Sequence, residues 1–361
     1  MRRLAFVVAA ALLLSAVSLR PQAQQPAPFS PLDLVGTWTL DSAEPGDGAP
    51  ARGRGDAAPA AGRGDGAATG RGARGDGAPV TGRGGGGRGA NLKGLLIFDA
   101  AGHAFEMITR TSMQQPSAAQ PALTDQQLRF AMSGGFWGSY KVDGQKKTMT
   151  FQTEGAFSPN MMGRELTRSF ELKGDRLTVT YTGGEHYAPA GTTFTFERVP
   201  VADNAQAPTY RKVIGFWQHV VEKRVNVTTG AALSETRRAP SVIVYTPSGY
   251  VGVHFPGLNR QKFAADLPTE AEARGAFSGY VGYFGALSVY PNMVFHQILG
   301  GVSMTPGTTL KRPLDLSGSG DEVTIKFPVN PNQQGQQTTT WVVLRRLSGE
   351  KDMMPSRSGG R

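Results

Sequence analysis

The sequence predicts an all-β chain made of two tandem antiparallel β-barrels, each with a short helix. Three observations lead there. Eight motifs recur in the same order in the two halves, apolar and polar residues alternate with a period of two, and tight glycine-containing turns divide the apolar runs. Antiparallel strands have to hide their edges, and closure into an up-and-down barrel does so most simply; a two-sheet sandwich is the alternative.

At roughly 150 residues per domain, a chain of 361 residues holds about two. It has no cysteine, which excludes disulfides, zinc-thiolate and iron-sulfur sites, thiol nucleophiles and a lipidated lipoprotein N-terminus. Two segments stand outside the repeat. Residues 1–23 read as a signal peptide: Met1-Arg2-Arg3 is a positive start, Leu4 to Leu19 is a 16-residue run without a charge, and small residues near Ala16 to Ser18 or Pro21 to Ala23 offer cleavage sites. The run is shorter than the ~20 residues that cross a bilayer, so a retained anchor is the weaker reading. The expected location is therefore outside the cytoplasm, periplasmic or secreted.

The second segment, residues 45–91, holds 17 Gly and seven Arg with almost no large apolar side chain, and is expected to be a disordered surface insertion. Arg54-Gly55-Asp56, Arg63-Gly64-Asp65 and Arg74-Gly75-Asp76 recur in it. Integrin mimicry or RNA binding would be the functional readings; a solvated flexible loop explains the composition more simply.

The repeat then runs in order. Val35-Gly36-Thr37-Trp38 is echoed by Ile214-Gly215-Phe216-Trp217, and the hairpin Leu96 to His103 by Ile243 to Tyr250. Thr124-Asp125-Gln126-Gln127 and Thr269-Glu270-Ala271-Glu272 are capping boxes that open a short helix. Ser133 to Gly138 answers Ser278 to Gly285, Met149-Thr150-Phe151 stands beside Met293-Val294-Phe295, and Thr167 to Leu172 beside Lys311 to Leu316. Leu177-Thr178-Val179 pairs with Val323-Thr324-Ile325, and the last strands are Phe194 to Val199 and Val342 to Leu347. The expected domains are 32–200, with the insertion inside it, and 210–348, joined by a linker over 201–209 and followed by a disordered tail over 349–361.

These residues resemble the bacterial and fungal lipocalin-like domain. The second copy carries the likeness through Gly215-Phe216-Trp217, Tyr245-Thr246-Pro247-Ser248-Gly249-Tyr250 and Gly279 to Gly285; the first does so through Gly36-Thr37-Trp38, Ser158 to Gly163 and Phe170 to Leu177. The first copy departs at Asp99 to His103, and the second at Val302 to Thr309. The resemblance implies a calyx around a small apolar molecule. It also implies that the first-strand Trp packs on an Arg of the last strand to close one barrel end, a structural role that falls to Trp38 with Arg198 and to Trp217 with Arg346.

Ligand contacts would then come from Phe136, Trp137, Met149 and Phe151 in the first copy, and from Tyr280, Phe284, Met293 and Phe295 in the second. The same residues can equally be ordinary core, because a small eight-stranded barrel can be filled by its own side chains. The five histidines lack metal-ligand spacing, and no nucleophile elbow, phosphate loop or dinucleotide fingerprint stands in a strand-turn-helix context, so no metal, cofactor or catalytic residue is predicted. An acid or base in an apolar cavity could still serve an isomerase, cyclase or hydrolase. Glu106, Glu154, His254 and His296 are the candidates, although the alternation that buries Phe295 would turn His296 to the other face.

The formal charge of +10 falls to +7 when Arg2, Arg3 and Arg20 leave with the signal, and the insertion's seven Arg and four Asp hold +3 of that. The remaining charge is too small for a nucleic-acid surface. The expected partner is a small hydrophobic ligand, with no nucleic acid and no membrane span in the mature protein. The expected function is an exported carrier or sequestering protein, with an enzyme or a filled-barrel envelope interaction module as alternatives.

Overall fold

The computed structural model describes residues 29–44, 92–110, 123–183 and 185–355. The segments read as signal peptide and as Arg/Gly insertion lie outside the described residues. In the first half, β1 (Gly36–Glu44), β2 (Leu92–Phe98), β3 (His103–Arg110), β4 (Ser133–Asp143), β5 (Thr148–Ala156), β6 (Glu165–Lys173), β7 (Arg176–Tyr181) and β8 (Thr193–Val199) pair consecutively, and β8 returns to β1 to close a barrel. Helix α1 (Asp125–Ala131) precedes β4, and α2 (Pro208–Val213) leads into the second half.

There β9 (Gly215–Asn226) carries the short β10 (Ala232–Thr236) on the same edge as β11 (Val242–Tyr245). Next come β12 (Tyr250–Pro256), α3 (Glu270–Ser278), β13 (Tyr280–Tyr290), β14 (Met293–Gly301), β15 (Thr309–Leu316) and β16 (Glu322–Lys326). The two-residue β17 (Asn330–Pro331) only flanks β18 (Gln337–Arg346), which pairs with β9 and closes a second antiparallel barrel. Among the described residues no helix is long and apolar enough to cross a membrane.

Both expected capping boxes form. Thr124 Oγ1 accepts from Gln127 N while Gln127 Oε1 accepts from Thr124 N, at 3.3 and 3.1 Å, and Thr269 and Glu272 repeat the exchange at 3.3 and 2.8 Å. A β-bulge also recurs at one place in each barrel, after Trp137 and after Phe284. It presses the next residue so close to the partner strand that a Cβ on Gly138 would stand 2.0 Å from the Gln152 carbonyl oxygen, and one on Gly285 2.1 Å from that of Gln297. Only glycine fits.

One end of each barrel is closed alike. Arg198 Cζ lies 4.0 Å from the Trp38 ring centroid and Arg346 Cζ 4.0 Å from that of Trp217. Each indole N–H donates to a carbonyl four residues back, Leu34 and Val213, at 2.9 and 2.7 Å. Each guanidinium donates to two carbonyls of the segment entering the first strand: Asp33 and Val35 for Arg198, Lys212 and Ile214 for Arg346. The guanidinium thus joins first strand, last strand and entry segment, and stacks on the ring beneath it.

The barrels share a core. Leu95, Ile97, Phe105, Met107 and Trp137, on the outer face of the first barrel, are buried with Phe255, Tyr280 and Phe284 of the second. The C-terminal segment belongs to this assembly as well. Of the tail expected to be disordered over 349–361, residues 356–361 lie outside the described residues, but Glu350–Met353 forms α4, with Met353 fully buried and the Asp352 carbonyl accepting from Ala100 N at 2.7 Å. The expected linker is likewise structured, with a 3-10 turn over Asp203–Gln206 that buries Ala205.

His254 bridges the barrels. Its Nε2–H donates to the Glu106 carbonyl at 2.8 Å, leaving Nδ1 to accept from the Tyr280 hydroxyl. Burial lowers its pKa from 6.5 to about 3, so the folded protein holds the ring neutral at pH 7. An unfolded chain takes up that proton near 6.5. The contribution of His254 to stability is therefore complete above pH 6.5 and declines as pH falls towards 3, by up to about 1.4 kcal/mol per pH unit. Urea unfolding of His254→Gln across this window should show a shallower loss of stability than wild type; an unchanged slope would contradict the assignment.

Candidate functional site

The interior of the first barrel is built around a buried guanidinium. Arg168 on β6 and Glu106 on β3 are both fully buried and form a two-pronged ion pair, with Arg168 Nη1 to Glu106 Oε2 as the closer prong and Nη2 to Oε1 at 3.2 Å. Tyr181 donates to Glu106 Oε2 at 2.8 Å, Tyr187 donates to Oε1 at 2.5 Å, and Arg168 Nε donates to Glu185 Oε1 at 3.0 Å. The rings of Phe136, Phe151 and Tyr181 lie 5.3, 4.9 and 3.8 Å from Arg168 Cζ. Burial is the largest single effect and opposes the charge on Arg168, but Glu106 together with Tyr181, Glu185 and Tyr187 outweighs it and holds the guanidinium pKa well above its usual value; burial raises the Glu185 carboxyl and both phenols. With Met149 and Phe194 also buried in this cluster, the barrel is filled by its own side chains.

The second barrel holds a cavity of about 190 Å³. Ile243, Val253, Phe255, Val281, Ile325 and Val342 form its apolar wall, and Tyr283, His296 and Arg312 supply polar groups. Tyr283 Oη lies 2.9 Å from His296 Nδ1, and the positive charge of Arg312 acts on the same phenol. Burial, reinforced by the Arg312 charge, lowers the His296 pKa to about 3, and burial raises that of Tyr283 to about 12, so both are neutral at pH 7. Glu222 and Arg238, also on the lining, pair with each other at 2.8 Å.

Strand register makes the two interiors comparable position by position. Glu106 lies opposite Phe136 as Val253 lies opposite Tyr283, and Met149 lies opposite Arg168 as Val294 lies opposite Arg312. Counting from the shared bulge places His296 where the first barrel has Phe151, and one pleat beyond Leu314 and Ile325 places Phe327 where it has Tyr181. Arg312 Cζ accordingly lies 4.4 Å from the Phe327 ring centroid. The cage around the arginine has been kept, while the carboxylate that neutralises it in the first barrel is replaced by valine.

Of the expected ligand contacts, Phe136, Met149 and Phe151 point into the first barrel, but as part of its filled core. Trp137 lies outside it and donates to the Pro240 carbonyl of the second barrel at 3.1 Å. Tyr280 and Phe284 also face outward, Tyr280 packing 5.2 Å from Phe157 and Phe284 lying over Gly300. Met293 and Phe295 are half-buried on the outer face of β14, and it is Val294 and His296 that point in. This corrects the expected orientation of His296. The hairpin between β4 and β5 spans residues 144–147 whereas that between β13 and β14 is only Pro291-Asn292, so matching Met149 to Met293 slips the register by one and exchanges the faces. Of the other acid–base candidates, Glu106 is committed to Arg168 and His254 to the interface, while Glu154 is half-exposed near His103. Among the described residues no cluster could hold a metal ion. Sequence reading missed Tyr283 and Arg312; the aligned pair Arg168 and Arg312, with an acid at Glu106 in one copy and Val253 at the matching place in the other, was the signal for them.

If the buried cluster fills the first barrel, breaking it should be costly and removing all of its polar groups less so. Glu106→Gln should lose about 3–5 kcal/mol in denaturant unfolding, whereas Glu106→Leu and Arg168→Met combined with Glu185→Leu, Tyr181→Phe and Tyr187→Phe, which leaves no buried partner orphaned, should lose less. Equal losses in the two variants would contradict this.

Comparison with known proteins agrees with the architecture. The family described as lipocalin-like domain matches residues 86–199. No curated protein matches the chain. A crystal structure of a protein of unknown function from the DUF3598 family of Nostoc punctiforme is similar at 9% identity over 71% of this chain and 88% of its own, with a TM-score of 0.20. The first barrel is a lipocalin-like domain, and the second repeats its strand order, its bulge and its Trp–Arg closure.

Proposed function

We propose that the protein is an exported binding protein that holds a small apolar molecule in its second barrel, with the first barrel as its filled structural partner. The carrying observation is the contrast between the interiors: the cavity of about 190 Å³ lies in the second barrel, where the first has a salt-bridged core. The apolar wall suits a hydrophobic body, and a few convergent polar groups suit one oriented head group. Export is supported by the positive start and apolar run of residues 1–23. A binding role fits the cavity's chemistry better than a catalytic one, because an imidazole with a pKa near 3 is a weak general base at neutral pH.

Methyl NMR of the full chain titrated with 1-octanol tests this reading. Shifts should concentrate on Ile243, Val253, Val281, Ile325 and Val342, and Val342→Trp, which fills the cavity, should abolish them. Shifts spread over both barrels, or unchanged by Val342→Trp, would contradict it.

A further inference from the structure

We infer that the molecule held by the second barrel is a monocarboxylic acid whose carboxylate takes the position that the Glu106 side chain occupies in the first barrel. The inference rests on the binding reading above and names the head group. Arg312 is the positional counterpart of Arg168 and keeps its aromatic neighbours, yet the residue facing it from the third strand of its barrel is Val253 in place of Glu106. Among the described residues Arg312 makes no ion pair, since Glu222, the acid on the cavity lining, is held by Arg238. A half-buried guanidinium beside an apolar cavity attracts an anion more strongly than one in water, because the surrounding dielectric is lower.

A second observation is independent of that charge. The positive charge of Arg312 beside Tyr283 makes the phenol the better donor of this pair, so its proton is directed to His296 Nδ1. A neutral imidazole that accepts at Nδ1 carries its proton on Nε2. His296 is fully buried at the cavity wall, and that Nε2 has no hydrogen-bond partner. The chain from Arg312 through Tyr283 to His296 thus ends in a free donor, so guanidinium and imidazole both call for an acceptor. Glu106 in the first barrel is that acceptor: it takes hydrogen bonds from Arg168, Tyr181 and Tyr187 at once. A ligand carboxylate would do the same for Arg312 and His296. The volume limits the body of the acid. A cavity of 150 Å³ holds a benzene ring, so one of about 190 Å³ takes roughly a ring with a few methylenes, or a short chain.

The test is calorimetric titration of the full chain with 4-phenylbutyrate and with 4-phenylbutanol, which share a body and differ in head group. The acid should bind at least about tenfold tighter, a difference of about 1.4 kcal/mol. Arg312→Gln should remove the preference for the acid over the alcohol, and Arg312→Lys should keep part of it. Val253→Glu, which supplies the first barrel's carboxylate, should weaken the acid at least tenfold. Equal binding of acid and alcohol by the wild type, or an acid preference that survives Arg312→Gln, would overturn the carboxylate assignment. If neither phenyl compound binds while octanol shifts the cavity methyls, the carboxylate assignment alone fails. If octanol fails as well, the binding reading falls with it.

Discussion

A guanidinium placed inside an eight-stranded barrel has to be neutralised by something, and the two halves of this chain meet that requirement differently. In the first barrel Arg168 is fully buried, and the carboxylate of Glu106, itself held by two phenols, answers it. Arg168 is thereby paired with two carboxylates, Glu106 and Glu185. In the second barrel the arginine and its cage persist without the internal carboxylate, and the space is a cavity. Glu106 against Val253 is the exchange that changes the interior charge, and Met149 against Val294 and Phe151 against His296 exchange larger side chains for smaller ones.

The filled barrel also supports the open one. Its outer face carries Phe105, Met107 and Trp137 into a core shared with the second barrel, and the backbone carbonyl of Glu106 accepts the hydrogen bond from His254. Glu106 thus neutralises Arg168 on the inside while its backbone holds the neighbouring barrel on the outside. A rigid first barrel fixes β12, whose inward residues Val253 and Phe255 belong to the cavity wall. Cohesion between the barrels and the shape of the site therefore depend on the same strands.

Much of the fold was legible in the sequence because it rests on short-range rules. The repeat, the hairpins and both capping boxes follow from residues whose spacing dictates their geometry, and the paired Trp and Arg at the barrel ends follow from the resemblance to the lipocalin-like domain. What escaped depends on long-range contacts. Trp137, Tyr280 and Phe284 look like cavity aromatics, but the barrel-barrel interface buries the outer face of their strands, so apolar character no longer distinguishes inside from outside there. The two-residue hairpin at Pro291-Asn292 hid the inward orientation of His296. The tail reads as polar, yet Met353 is buried against elements far away in the chain.

Xenon derivatisation of crystals tests the difference between the two interiors, because xenon settles in dry apolar space and requires neither a head group nor a charge. Filled and open barrels predict xenon density among Ile243, Val253 and Val342, and none among Phe136, Met149 and Phe151. Density inside the first barrel, or none inside the second, would contradict the assignment of one barrel as core and the other as site.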